Sequence, residues 1–283
     1  MALKHKLLSI ALSTALLTGA TLGAPPLTTR ASAQTLYYTS SSITSFKGNI
    51  QIKKGENSDT VGWLRVPNTT IHSAIVQNPY SKGNAYYLSH GFDKKISKYG
   101  TYCADRRCTF GNGTRDELSH NTVLYAHNFD DDPDGQLFAQ LKKFKNSKFA
   151  KNTPYIFFST EAEDMVWEVF AVYDTTTDFP YVWPELSSST NNHILNFVYA
   201  ASIYDYGVNI SPTDKILTLS TCTFSVNNKI KLPLNKENKY RFVVMARLVG
   251  TDEALKNTAS FTVNKSPLAA DDMPDLYNMV FTS

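Results

Sequence analysis

The chain has 283 residues, 42% of them hydrophobic and 12% aromatic, which is enough to bury a sizeable core and excludes a wholly disordered protein. Its 28 basic and 25 acidic residues give a net charge of only +3. Because the lysines and arginines are scattered, with no basic stripe interleaved with aromatic residues, the composition argues against a nucleic-acid partner.

Residues 1–33 have the features of an export signal. A basic start at residues 4–6 is followed by an apolar run, and Ala31-Ser32-Ala33 supplies a small-residue cleavage site. The alternative is an uncleaved membrane anchor, because the 18 residues from Leu7 to Ala24 approach the length that spans a bilayer. Both alternatives predict an exported protein whose folded part lies outside the membrane.

The rest of the chain divides by composition. Residues 34–48 are rich in Ser and Thr and predict a linker, residues 49–250 predict a folded domain, and residues 251–283 predict a C-terminal extension of unclear order. Within the domain, short apolar runs separated by polar turns indicate a mainly β fold with a few helices, either a barrel or a sandwich. The expected strands are residues 62–66, 71–77, 122–126, 155–158, 165–173, 216–222 and 241–249, and the expected helices are 135–149 and 191–204.

Three cysteines, an odd number, leave at least one thiol unpaired within the chain. Cys103 and Cys108 are close enough in sequence to form a disulfide if the chain turns at Asp105, or they remain two structural thiols. Cys222 ends an apolar strand, where a thiol is either a small buried hydrophobe or a positioned nucleophile.

A nucleophilic cysteine needs a base or ion-pair partner, and a donor that stabilises the developing oxyanion. Of the six histidines, only His127 directly ends an apolar strand-like run. Arg241 opens another apolar strand, which places it beside Cys222 if the two strands pair. Spacing alone leaves open a surface histidine and a solvated arginine.

Three segments resemble the class B sortases, cysteine transpeptidases of Gram-positive bacterial surfaces. Thr218-Leu219-Ser220-Thr221-Cys222 is similar to the nucleophile motif of that family, Leu124-Tyr125-Ala126-His127 to its histidine motif and Arg241-Phe242-Val243-Val244 to its arginine strand. Further similarity lies at Gly62-Trp63-Leu64, Ile75-Val76-Gln77, Asn84, Tyr87-Leu88 and Tyr173-Asp174-Thr175-Thr176-Thr177.

The resemblance implies a closed sortase-type β-barrel of about eight strands and a reaction without a cofactor or metal. Cys222 would cleave a C-terminal sorting motif of a secreted protein after Thr, forming a thioester, and an amine of a lipid-linked cell-wall precursor would resolve it. His127 would act as acid and base, and Arg241 would stabilise the oxyanion. The resemblance also implies a location near the membrane and the cell wall, and a substrate groove lined by Asn84, Leu88, Tyr125, Thr177, Tyr181, Val182 and Ser220.

Some features depart from the family pattern or leave alternatives open. Ala126 stands where relatives usually have glycine, and Thr223 stands where an acidic residue can follow the cysteine. Residues 130–135 match the opening of a calcium loop, but Leu141 occupies the position that needs a bidentate carboxylate. The open alternatives are a pilin polymerase with a lysine acceptor, a hydrolytic cysteine protease and an inactive surface-binding module.

Overall fold

The computed structural model describes residues 36–37, 44–78, 83–226, 230–231 and 238–275. The predicted export signal and most of the predicted linker lie outside the described residues. Within the described ranges, no helix is long and apolar enough to cross a membrane.

The described residues form three α-helices, short 3-10 helices and fourteen strands, so the prediction of a mainly β fold is confirmed. The α-helices are α1 (Lys47–Glu56), α2 (Ser147–Asn152) and α3 (Ser188–Ala201), and the 3-10 helices are Arg115–Glu117, Leu137–Lys145 and Ala270–Asp272. The strands are β1 (Leu36–Tyr37), β2 (Thr60–Arg65), β3 (His72–Gln77), β4 (Cys103–Ala104), β5 (Asn121–Tyr125), β6 (Tyr155–Ser159), β7 (Val166–Thr176), β8 (Tyr204–Asp205), β9 (Ile216–Cys222), β10 (Ser225–Val226), β11 (Ile230–Lys231), β12 (Tyr240–Leu248), β13 (Ala254–Leu255) and β14 (Thr262–Val263).

Eight of the strands close into a barrel in the order β12-β7-β6-β2-β3-β4-β5-β9. All eleven residues of β7 are buried, because one face of the strand lines the barrel core and the other lies beneath α3. Val172 belongs to the core cluster inside the barrel, whereas Tyr173 belongs to the outer cluster that includes Ile194 of α3. This alternation follows from the two-residue period of a strand.

The pairing of β9 determines where the site lies. It runs antiparallel to β12, with Cys222 opposite Arg241, and parallel to β5, with Ser220 opposite Tyr125. The C-terminal ends of β5 and β9 therefore meet the start of β12 at one end of the barrel, as expected if the strands of Cys222 and Arg241 pair.

Two predicted helices differ in form from what the apolar spacing indicated. The region predicted as one helix at residues 135–149 is a 3-10 helix, Leu137–Lys145, followed by α2, whose N-cap Asn146 accepts a hydrogen bond from the Phe149 amide. This N-cap divides the predicted helix, because a capping side chain favours the start of a new helix over the continuation of the preceding one. The second helix, predicted at 191–204, begins earlier at Ser188, behind the capping Ser187.

The structure also describes the chain at both ends of the predicted domain. Helix α1 begins at Lys47, inside the predicted linker, and Phe46 before it is buried. Ile50 is the only buried residue of α1, so the helix has almost no periodic pattern of apolar residues that the sequence could show. In the C-terminal extension, residues 251–275 are ordered against the domain: β13 pairs with β1, β14 pairs with β8, and Ala270 and Met273 are buried.

Candidate active site

A groove of about 270 Å³ lies where β5, β9 and β12 end together. The structure brings all ten residues predicted from the sequence to this groove, together with two further residues, Ala126 and Thr221. Its lining is Asn84, Leu88, Tyr125, Ala126, His127, Thr177, Tyr181, Val182, Ser220, Thr221, Cys222 and Arg241.

Cys222 is the last residue of β9 and is partly exposed to the groove. Its carbonyl oxygen accepts a hydrogen bond from Asn128 Nδ2 at 2.8 Å. The neighbouring Thr221 hydroxyl donates to the Ala126 carbonyl oxygen at 2.8 Å. These two bonds connect the end of β9 to the residues on either side of His127. They therefore fix the position of Cys222 relative to His127.

Cys103 and Cys108 differ from Cys222 in their surroundings. Both are free and buried, so the disulfide considered from their spacing does not form in the structure. Burial raises the pKa of each of these two thiols to about 12. They therefore stay protonated at neutral pH, and Cys222 is the thiol that opens onto the groove.

His127 follows β5 and is oriented by a backbone contact. Its Nε2 atom lies 2.6 Å from the Leu88 carbonyl oxygen, and its ring lies 5.1 Å from the ring of Phe129. A carbonyl oxygen only accepts, so Nε2 carries a proton in this contact. In the neutral ring, Nδ1 is then the nitrogen that can take up a second proton.

Arg241 is the second residue of β12 and is held by backbone oxygens. Its NH1 atom donates to the carbonyl oxygens of Asn238 at 2.5 Å and Tyr240 at 2.9 Å. Within the described part of the chain, no carboxylate lies within ion-pair distance of Arg241. The guanidinium charge therefore remains available to an anionic or polarised oxygen in the groove.

One wall of the groove is organised by a carboxylate that the sequence reasoning missed. The side chain of Asp105 is fully buried and accepts hydrogen bonds from Arg107, Asn84 Nδ2 and the Tyr125 hydroxyl. Burial alone would raise the pKa of Asp105, but the Arg107 guanidinium and these donors hold it below its ordinary value. Because Asn84 Oδ1 also accepts from the Arg106 amide, the Asn84 side chain is fixed at both ends.

From the sequence, Asp105 is expected only as a turn residue between two cysteines. The signal that could have identified it is the Asp-x-Arg spacing, in which the Asp105 carboxylate accepts from the Arg107 backbone amide as well as its side chain. The Arg107 guanidinium then stacks on Trp183, 4.6 Å from the ring centre. Because Arg107 and Trp183 are far apart in the sequence, no local pattern predicts this stacking contact.

Tyr181 and Ser220 form a further part of the groove lining, beside Tyr125. Their hydroxyl groups are 2.8 Å apart and both side chains are buried. The Thr177 amide donates to the Lys239 carbonyl oxygen at 2.8 Å, which connects the end of β7 to the start of β12. These contacts restrain further residues of the groove lining.

The acidic segment 130–135 does not assemble a metal site in the described structure. Among the residues that the structure describes, no group of three or more metal-ligating side chains comes together. Asp131 instead accepts hydrogen bonds from protein groups beside Cys222. The sequence did not predict that Asp131 and Lys142 contact the chain after Cys222, because these contacts span 81 to 94 positions.

The barrel and its groove are similar to those of known proteins. A family model described as the sortase domain matches residues 43–249. The chain belongs to the sortase family, whose members are cysteine transpeptidases.

Relatives define the class within the family. Sortase B of Listeria monocytogenes is 33% identical over 195 residues, covering 67% of this chain and 75% of the relative. A structure of the Staphylococcus aureus sortase B-substrate complex is 25% identical with a TM-score of 0.60, covering 72% of this chain and 85% of that one. A sortase B structure complexed with triglycine has the same identity and TM-score, covering 74% and 89%. The class is therefore class B, as the three motifs indicated.

Proposed function

We propose that this class B sortase cleaves a C-terminal sorting motif of a secreted protein after its threonine, forms a thioester on Cys222 and transfers the acyl group to an amine. The observation that carries the proposal is the register of three adjoining strands. It brings Cys222, His127 and Arg241 to one groove, where a nucleophile, a proton carrier and a fixed positive charge face the same space.

In the first half of the reaction, the Cys222 thiol gives its proton to His127, and its sulfur attacks the carbonyl carbon of the substrate threonine. The Arg241 guanidinium stabilises the oxyanion of the tetrahedral intermediate. The bond between this carbon and the next residue's nitrogen then breaks, and His127 gives a proton to the leaving amine. The product is a thioester between Cys222 and the threonine.

In the second half, an amine attacks the thioester carbonyl carbon. His127 takes the proton from that amine, the carbon-sulfur bond breaks, and Cys222 is regenerated as the new amide forms. An imidazole can serve in both directions near neutral pH. A relative crystallised with triglycine supports a short peptide amine as the kind of acceptor.

The remaining groove residues recognise the sorting motif. Asn84 and Tyr125 present polar atoms fixed by Asp105, and Leu88 and Val182 present apolar surface. Thr177, Tyr181 and Ser220 complete the wall near Cys222. The resemblance to class B sortases implies a sorting motif similar to Asn-Pro-Gln-Thr-Asn, and a relative whose structure is a substrate complex supports a peptide substrate.

The location of the enzyme follows from the same proposal. Residues 1–33 export the protein, as a cleaved signal or a retained anchor, and the folded part acts beside the membrane on secreted proteins. The acceptor amine belongs to a lipid-linked cell-wall precursor. Antibody labelling of intact cells tests this location, because only a surface-exposed enzyme is labelled without permeabilisation.

Product analysis tests the proposed reaction. A peptide containing Asn-Pro-Gln-Thr-Asn is incubated with the enzyme, alone and with triglycine, and the products are identified by mass spectrometry. We expect an amide between the threonine and triglycine, and no product from a folded Cys222→Ala variant. Free acid as the sole product in the presence of triglycine would identify a hydrolase, and faster transfer to a lysine side chain would identify a pilin polymerase.

A further inference from the structure

A buried polar cluster lies directly behind the groove. Lys142 projects from the 3-10 helix Leu137–Lys145, and its side chain is only 5% exposed. Its Nζ atom lies 3.2 Å from Asp131 Oδ1 and donates to the Thr223 hydroxyl. Asn128 and Thr223 are also buried, so this cluster of Asn128, Asp131, Lys142 and Thr223 is largely removed from water.

Asp131 is the centre of the cluster. Its Oδ2 atom accepts from the Phe224 amide at 2.9 Å and from the Ser225 amide and hydroxyl, each at 2.7 Å. Its Oδ1 atom accepts from Asn128 Nδ2 at 2.5 Å. Burial alone would raise the pKa of Asp131, but the Lys142 charge and these donors hold it below its ordinary value, so the carboxylate is charged.

The backbone of Asp131 is also unusual. Its φ angle is +60°, in the left-handed region, which costs about 1 kcal/mol for a residue other than glycine. Aspartate tolerates this region better than most residues. The strained conformation is maintained by the hydrogen bonds that connect Asp131 to the chain after Cys222.

The cluster includes or contacts the residue that follows each of the three residues proposed for catalysis. Asn128 follows His127 and donates to the Cys222 carbonyl oxygen at 2.8 Å. Thr223 follows Cys222 and receives the Lys142 hydrogen bond. Phe242 follows Arg241, and Lys142 Nζ lies 4.7 Å from the centre of its ring.

Stability alone does not account for a buried ion pair. Removing two charges from water costs several kcal/mol, and apolar residues of similar volume commonly stabilise a protein as well or better. Lys145 on the same 3-10 helix provides a comparison, since it pairs with Asp174 at 3.0 Å and lies 5.3 Å from the same Phe242 ring. Lys145 makes no hydrogen bond to the chain after His127 or Cys222 among the described residues.

We infer that Asp131 and Lys142 are positioning residues, which hold the chain after His127 and the chain after Cys222 at the separation that acyl transfer requires. This inference rests on the proposed function for its catalytic consequence. The cluster acts through Asn128 and Thr223 and does not touch the substrate. A displacement of about 1 Å between reacting groups reduces a rate by about a hundredfold, which sets the expected size of the effect.

Steady-state kinetics of four variants tests the inference. In Lys142→Met, Asp131→Asn and Thr223→Val, we expect kcat to fall by about tenfold to a hundredfold while KM changes less than about threefold. Asn keeps the left-handed preference of Asp131, and Val keeps the volume of Thr223, so both variants limit damage to the fold. Lys145→Met is the matched control. It removes the ion pair with Asp174, and we expect kcat to stay unchanged. Lys142→Arg, which retains a charged donor, should recover part of the lost rate.

A second measurement keeps the inference separate from the proposed reaction. The alkylation rate of Cys222 by iodoacetamide, measured by mass spectrometry, needs no substrate and should fall in the three variants but not in Lys145→Met. If the wild type forms no amide product yet this pattern of alkylation holds, the proposed function fails and the positioning role stands. The inference would be overturned if folded Lys142→Met and Asp131→Asn kept the wild-type kcat and alkylation rate. It would also be overturned if Lys145→Met lost as much of both rates as these variants.

Discussion

Arg241 provides a positive charge in the groove that no described carboxylate neutralises. Two backbone carbonyl oxygens hold one of its nitrogens, which restricts the side chain without cancelling its charge. A restrained charge needs little reorganisation when an oxyanion develops, and this is the main advantage of a preorganised site.

We predict that Arg241→Gln lowers kcat by about a hundredfold to a thousandfold, the usual effect of removing one oxyanion donor. KM for the sorting peptide should change little, since the interaction strengthens only in the transition state. Arg247→Lys is the control, because Arg247 lies on the same strand and pairs with Glu168 and Glu253 away from the groove. Comparable kcat losses in both variants would contradict the assignment.

Asp105 does not line the groove itself but contacts two residues that do. It accepts from Asn84 and Tyr125, so its carboxylate determines which polar atoms those side chains present to the groove. The Arg107 guanidinium that neutralises it also donates to the Val182 carbonyl oxygen at 3.1 Å. One buried ion pair thus connects three residues of the lining.

Asp105→Asn should raise KM for the sorting peptide by about tenfold with little change in kcat, because hydrogen bonds to a charged group contribute about 1.5–3 kcal/mol. Steady-state kinetics checks this split. Glu163→Gln is the control. Glu163 forms an ion pair with Arg115, and neither residue lines the groove. A fall in kcat at constant KM would show that Asp105 serves the chemistry and not substrate binding.

At the scale of elements, the 3-10 helix Leu137–Lys145 places an ammonium group in the protein interior. Burial lowers the pKa of Lys142 from its ordinary value of 10.5 to about 8, and the nearby Lys145 charge acts in the same direction. Between these two pH values the unfolded chain holds a proton that the folded chain has released. The folding stability therefore rises with pH in this window, since the unfolded state binds more protons.

The free energy of unfolding, measured with urea at pH 7 to 10, tests this linkage. The difference between the wild type and Lys142→Met should shift in favour of the wild type by up to about 2 kcal/mol between pH 8 and pH 10. Other buried groups that titrate in this window contribute equally to both proteins and cancel. A difference independent of pH would mean that Lys142 titrates normally.

The sequence predicts the end of the barrel that forms the groove better than its surroundings. Strand β9 has the predicted bounds. Cys222 pairs with Arg241, as expected from the sequence on the condition that their two strands are neighbours. The family resemblance added the groove residues, all of which line one cavity. Their catalytic and binding roles remain predictions.

What the sequence did not predict depends on contacts between distant segments. Helix α1 buries one residue and has little apolar periodicity to detect. Lys142 meets Thr223 across 81 positions, and Arg107 meets Val182 across 75. Such partners are selected by tertiary packing, which no local pattern encodes.

At the scale of the whole molecule, the chain after the last barrel strand is part of the folded unit. Met273 is 6% exposed and belongs to the apolar cluster that includes Phe170 of β7 and Ile194 of α3. The Tyr240 hydroxyl, next to Arg241, donates to Asp271 at 2.8 Å. The C-terminal segment therefore packs against the outside of the barrel and reaches the start of β12.

Met273→Ala should lower the free energy of unfolding by about 2 kcal/mol, the low end for a buried methionine. Val263→Ala lies in the same segment but is exposed, so its effect should stay within about 0.5 kcal/mol. Urea denaturation of both variants checks the contrast. Equal effects would show that residues 251–275 do not contribute to the core.

In the proposed reaction, Cys222 carries the acyl group between the sorting motif and the amine. The most direct measurement is the intact mass of the enzyme after rapid acid quenching of its reaction with an Asn-Pro-Gln-Thr-Asn peptide in the absence of an amine. We predict a mass increase equal to the peptide fragment ending in threonine less one water, located on Cys222 by peptide mapping and lost on addition of triglycine. Turnover by Cys222→Ala, or an adduct on another residue, would contradict the claim.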